Sequence, residues 1–236
     1  MSTVQKVAIV TGASQGLGAG IARAYRERGY RVVGTSRSIQ TSNDPDYLTV
    51  AGDIGDPATA RKVVDLALTR FGRIDTLVNN AGIFIASEFT GYSQQQYEEV
   101  LSTNVAGFYH MTQQVVPAML EQGGGHIVQI TSSLVDHACS KVPSVLASLT
   151  KGGLAAATRS LAIEYATRNI RVNAVSPGVI KTPMHAPESH AALAALHPVQ
   201  RMGEVSDITN AVLYLEDAGF VTGEILHVDG GQVAGA

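Results

Sequence analysis

Short runs of Val and Ile alternate with longer amphipathic segments along nearly the whole chain, and this alternation restricts the fold more than any other feature. The strand-like runs are 6–12, 31–37, 75–82, 126–133, 171–178 and 224–231, with a weaker one at 47–53. Between them, 17–29, 58–72, 93–123, 144–167 and 206–217 repeat their apolar residues at three- and four-residue spacing, which predicts helices. Strand, helix, strand in repetition implies parallel pairing through right-handed crossovers. Strands so continuously apolar are covered on both faces. The expected fold is α/β: a doubly wound parallel sheet of about seven strands between two helical layers. No boundary, repeat or linker divides it, so one domain over 1–236 is expected.

Composition narrows the function. Hydrophobic residues make up 45% and charged residues 16% of 236, which is globular rather than disordered. The net charge is −3 with no basic block, which argues against nucleic acid as a partner. No apolar run approaches membrane-spanning length, and "MSTVQKVAIVTG" has neither the n-region nor the cleavage site of a signal peptide. The single cysteine, Cys139, forms no internal disulfide, so a reducing, cytoplasmic setting is expected.

In a doubly wound sheet, ligands bind beyond the C-terminal strand ends, and each polar motif here follows a strand. "TGASQGLGAG" (11–20) follows the first. Gly12, Gly16 and Gly18 permit a tight turn and close approach of backbone to a ligand, and the helix start behind them can receive a phosphate. Alone, the loop is equally an ordinary glycine-rich turn. The second strand ends in "GTSRS" (34–38), with no carboxylate to hold the ribose hydroxyls of NAD. Ser36 and Arg37 suit a 2′-phosphate, favouring NADP over NAD, although Arg37 alone is also compatible with a solvated loop. "NNAG" (79–82) follows the fourth strand and in isolation is a plain turn.

Jointly these motifs carry a resemblance. TGASQGLG at 11–18, Asp53 with Ile54, NNAG at 79–82, Asn104 in "STNVAG", Ser133 in "ITSS", Lys151, "SPGVIKTPM" at 176–184 and "VTGEILHVDGG" at 221–231 cover nearly the whole chain. The sequence resembles the short-chain dehydrogenase/reductase family, of the β-ketoacyl-reductase-like type. The resemblance implies a Rossmann fold and a nicotinamide cofactor. It implies that residues 12–18, among them Ser14, Gln15 and Leu17, hold the pyrophosphate and adenosine ribose. By the same resemblance Asp53 and Ile54 flank the adenine, Asn80, Ala81 and Gly82 border the cofactor, and Pro177, Gly178, Ile180 and Thr182 line its nicotinamide end. The implied catalytic set is Asn104 holding a water, Ser133 binding the substrate oxygen, and Lys151 on the nicotinamide ribose. A homodimer or homotetramer packed through 93–122 and 144–167 is implied too.

One member of the family set is missing. The proton-donating tyrosine stands one helical turn before the lysine, as Y-x-x-x-K, and here that position is Ala147. Ser133 lies fourteen residues before it, within the family's spacing, so the frame holds. Ser144 and Ser148 are close but are poor acids, and the loop 134–143 offers Asp136, His137, Cys139 and Lys141. His137 is the best acid–base candidate by chemistry, with a solvated loop histidine as its plain alternative. His137 and Cys139 lack a second ligand pair, so no metal is expected, and His110 and His126 read as structural. Three functions remain open. The first is an NADP(H)-dependent oxidoreductase acting on a small carbonyl or alcohol with an atypical proton donor. The second is a nucleotide-binding regulatory or scaffold protein, and the third a non-redox isomerase or dehydratase. The segment 181–203, which covers the pocket in this family, has no strong charge signature and leans towards a compact neutral substrate.

Overall fold

The computed structural model describes residues 4–235. Val7–Thr11 (β1), Arg31–Ser36 (β2), Tyr47–Ala51 (β3), Thr76–Asn79 (β4), Gly125–Ile130 (β5), Ile170–Pro177 (β6) and Ile225–Val228 (β7) form one sheet. All pairings are parallel, in the order β3-β2-β1-β4-β5-β6-β7. The winding direction reverses at β1, which pairs with β2 on one side and β4 on the other. A crevice opens there, beyond the strand ends.

Alternation along the strands separates two cores. Val7, Ile9, Leu77, Ile127 and Val172 face Pro57–Phe71 (α2), Gly107–Glu121 (α4) and Val145–Tyr165 (α5). Ala8, Val10, Val78, Val128 and Val175 face Gly16–Glu27 (α1) and Val205–Asp217 (α7). A short helix, His190–Ala194 (α6), lies within the segment 181–203, where the sequence pattern carried no helical signal.

The helix expected over 93–123 is interrupted. Ser93 opens Gln94–Leu101 (α3) with a reciprocal capping box to Gln96. Residues Ser102–Ala106 then widen into a π turn before α4 begins. Asn104 sits in that turn, buried. The extra residue per turn rotates it away from the position that regular spacing would give, and such bulges recur at functional sites.

The N-terminal edge of the sheet holds a buried polar network. Glu216 accepts hydrogen bonds from Tyr25 Oη (3.1 Å), Tyr30 Oη (3.0 Å) and Thr76 Oγ1 (2.9 Å), and it pairs with His126 Nδ1 at 3.0 Å. Asn173 Nδ2 lies 3.2 Å from His126 Nε2, so Nε2 accepts and Nδ1 carries the proton. Burial lowers the His126 pKa and favours this neutral imidazole. Burial pushes the Glu216 carboxyl up, but the hydrogen bonds from His126, Thr76 and Tyr30 prevail and hold it below the usual range. His126 is thus structural, as its place at a strand start suggested.

Candidate active site

The polar motifs gather at the opposite edge, past the C-terminal strand ends. The loop after β1 turns through left-handed backbone at Gly12 (φ 67°) and Gly16 (φ 55°), which favours glycine. A Cβ on Gly18 would collide with the Gly12 carbonyl. Thr11 Oγ1 accepts from Asn80 N (3.0 Å) and Ala81 N (2.9 Å), and Asn80 Nδ2 donates back to Thr11 O at 2.9 Å. NNAG is therefore the clasp that holds the glycine loop against β4.

The start of α1 is electrostatically open. Its N-cap, Gln15, makes no side-chain cap bond, and no acidic residue stands in the first turn. The amides there remain available to an anion, together with the positive end of the helix. At the end of β2, the Ser36 Oγ is buried without a partner, beside exposed Arg37. An orphaned hydroxyl next to a guanidinium fits a second phosphate. A cavity of about 460 Å³ lies beside it, lined by Arg37, Asp53, Ile83, Glu98, Glu99, Ser102 and Thr103. Asp53 Oδ1 accepts from Gly55 N at 2.9 Å, and Ile54 is buried against Gly107. Across the crevice, Thr182 reaches the loop: a Cβ on Gly16 would lie 3.5 Å from the Thr182 Cβ. Ile180 bridges to Gly203 just after Pro177 and Gly178.

Lys151, on the inner face of α5, donates from Nζ to the carbonyl oxygen of Ile130 at 2.7 Å. Burial pulls its pKa down to about 8. Asn104 Oδ1 accepts from Ile83 N at 2.9 Å, while Nδ2 donates to Ile83 O and to Thr150 Oγ1, each at 3.1 Å. Both amide hydrogens are thereby used, and only a lone pair on Oδ1 is left for a water. Gly82 separates the two groups. A Cβ there would sit 3.0 Å from Lys151 Nζ and 3.3 Å from Asn104 Oδ1. Lys151, Asn104 and Gly82 are thus brought together at this edge.

Ser133 is buried, with its hydroxyl donating to Gln232 Oε1 at 2.8 Å. Ala147 is also buried. Of its hydroxyl neighbours, Ser148 donates to Leu134 O at 3.0 Å and is committed there. Ser144 is buried and makes no capping bond to α5. In the loop, Asp136 pairs with His227 Nε2 at 3.1 Å, whereas His137 is held through its backbone, N to Ser133 O at 2.9 Å. Among the described residues, no group of three His, Cys, Asp or Glu is placed to hold a metal ion.

Three residues of this edge carried no signal that sequence spacing could detect. Thr150 receives Asn104 and donates back to Leu146 O at 2.8 Å. His197, buried, accepts at Nε2 from Val179 N (3.0 Å) and faces Leu193 O at Nδ1 (3.1 Å). Gln232 meets Ser133 across 99 residues of chain.

Comparison with known proteins agrees with this geometry. The family model described as enoyl-(acyl carrier protein) reductase matches residues 12–232. The chain is 35% identical over 238 residues to the 3-oxoacyl-(acyl-carrier-protein) reductase FabG of Escherichia coli K12, covering 96% of this chain and 97% of that one. Among solved structures, ElxO with NADP bound superposes with a TM-score of 0.91 at 28% identity, covering 98% of this chain and 100% of that one. The 3-ketoacyl-(acyl-carrier-protein) reductase of Brucella melitensis, complexed with NADH, gives 0.89 at 30% identity, with the same coverage. With a family match that spans the glycine loop to Gln232 and the seven-stranded sheet in its doubly wound order, the chain belongs to the short-chain dehydrogenase/reductase family and is of the ketoacyl-reductase-like type.

Proposed function

We propose that this protein is an NADP(H)-dependent oxidoreductase that interconverts a small carbonyl compound and its alcohol without a tyrosine proton donor. The observation that carries the reading is the close approach of Lys151 Nζ and Asn104 Oδ1 to Gly82, which leaves no room there for a Cβ. The open start of α1, with Ser14, Gln15 and Leu17 in its loop, holds the pyrophosphate, and Ser36 with Arg37 holds the 2′-phosphate. Asp53 and Ile54 flank the adenine, while Asn80, Ala81, Pro177, Gly178, Ile180 and Thr182 border the remaining length. When bound, the cofactor supplies the hydride to the carbonyl carbon or removes it from the alcohol.

The balancing proton goes to or from the substrate oxygen. Lys151 is the group best placed to supply it, directly or through a bridging water. Its ammonium has two hydrogens beyond the one on Ile130, and burial makes it a better acid than an ordinary lysine. The whole unit is one dinucleotide-binding domain, working in the cytoplasm. No helix among the described residues is long and apolar enough to cross a membrane.

Calorimetric titration tests the cofactor. NADPH is expected to bind more tightly than NADH, and Arg37→Ala to remove most of the difference, because one charged phosphate contact is lost. Equal affinities in the unmodified chain would sink the reading. A second reading, nucleotide binding without chemistry, is favoured by the buried Ala147 and the engaged Ser133. It predicts tight NADPH binding with no turnover on any ketone.

A further inference from the structure

Gln232 stands one residue past the glycine pair that ends the 221–231 run, outside every motif. It is buried, at 8% exposure. Its amide spans two groups: Nε2 donates to the Leu196 carbonyl at 3.2 Å, and Oε1 accepts from Ser133 Oγ at 2.8 Å. Leu196 decides which end is which. A carbonyl takes only a donor, so the NH₂ faces Leu196 and the amide oxygen faces Ser133. The surrounding backbone is fixed as firmly. The Asp229 carboxylate accepts from Gly231 N and from Val233 N, each at 2.9 Å, and this turn presents Gln232 inward. Gly178 closes the far side, where a Cβ would stand 2.9 Å from Gln232 Oε1.

A serine hydroxyl has one hydrogen. With that hydrogen directed at Gln232, Ser133 offers a ligand only lone pairs. Residue 147 carries no phenol to donate in its place. A carbonyl oxygen only accepts, so at Ser133 it meets an acceptor. An alcohol can donate its hydroxyl hydrogen to Ser133 Oγ and is satisfied. From this arrangement we propose that Gln232 is a positioning residue that sets the hydrogen-bonding sense of Ser133, so that the site takes the alcohol member of a carbonyl/alcohol pair in preference to the carbonyl. The inference rests on the oxidoreductase reading for its substrate class. Because Leu196 belongs to the 181–203 segment, the same amide also ties the pocket cover to Ser133.

The test uses a matched pair, acetoacetyl-N-acetylcysteamine and 3-hydroxybutyryl-N-acetylcysteamine. Each is titrated calorimetrically into a complex that cannot turn over, the ketone with NADP⁺ and the alcohol with NADPH. Gln232→Met keeps length and removes the acceptor. It is expected to shift the ratio of ketone to alcohol affinity towards the ketone by roughly five- to tenfold, the worth of one hydrogen bond, while NADPH affinity stays unchanged. Ser133→Ala is expected to weaken the alcohol and spare the ketone. If Gln232→Met does not fold, the unmodified chain and Ser133→Ala still decide. A ratio unmoved by Gln232→Met, equal losses for both ligands, or tighter ketone than alcohol binding in the unmodified chain would overturn the inference. Alcohol preference in a chain that binds no nicotinamide cofactor would overturn the oxidoreductase reading and leave the inference standing. Binding of neither ligand at millimolar concentration would overturn both.

Discussion

Lys151 Nζ and the carbonyl oxygen of Ile130 lie 2.7 Å apart, tying the ammonium to the end of β5, three residues before Ser133. The lysine approaches the strand ends with Ala147, and no phenol, one turn earlier on its helix. Its own ionisation therefore becomes the quantity to measure.

Burial lowers Lys151 to about 8, so its acid form is lost as pH rises through that value. Ketone reduction is expected to fall above about pH 8, and Lys151→Met is expected to lose both this limb and cofactor affinity. The stability effect has the opposite sense. A lysine lowered in the fold costs stability while charged, and that cost is relieved as pH climbs from 8 towards its unfolded value. A pH profile of kcat/KM checks the first point, and a flat profile from pH 7 to about 9.5 would count against it.

Ala147→Tyr restores a phenol one turn from Lys151. A positioned general acid is worth ~10²–10⁴ in rate, so kcat/KM for ketone reduction is expected to rise by ~10² or more. Position 147 is 5% exposed, and inserting a ring into packed surroundings is expected to cost about 1–3 kcal/mol of stability. Steady-state kinetics and thermal melts measure both effects. A folded variant with an unchanged rate would show that proton supply does not limit ketone reduction.

Glu216→Gln removes the charge that four donors surround. A loss of about 2 kcal/mol is expected at pH 7, the range for hydrogen bonds to a charged group. The folded carboxyl is held low, so its contribution is present above the unfolded value near 4.3 and is lost as pH falls below it. Urea unfolding should find the gap between parent and variant narrowing below about pH 4. A gap that does not change with pH would show that packing, rather than charge, makes Glu216 matter.

The outer face of α5 leaves Val145, Leu149 and Ile163 exposed, at 46%, 58% and 79%. Tyr109 on α4 is exposed as well. Apolar groups left in water on these two helices fit self-association, and a dimer or tetramer is expected at micromolar concentration. Leu149→Glu should shift light scattering towards the monomer mass. A monomeric parent would remove this expectation.

What the residues determined alone was the architecture and the polar edge. Strand runs and helical spacings are local properties of the chain, and a doubly wound sheet places its loops at one edge whatever their sequence. Gly12, Gly16, Gly18 and Asn80 could therefore be assigned to that edge from their positions after strands, whereas Lys151, inside a helix, was placed there only by the family resemblance. That Ala147 shares a helix face with Lys151 follows from geometry, since residues four apart are neighbours, and that a tyrosine is missing there is what the resemblance implies. Tertiary structure decided which hydrogen bonds these groups make. Ser133 is bound by Gln232 from 99 residues away, and Asn104 reaches Thr150 only because a π turn rotates it inward. Neither contact has a period or a motif. Each depends on where crossovers and the C-terminal turn bring distant backbone together, and a single serine hydrogen takes its direction from the acceptor that arrives there.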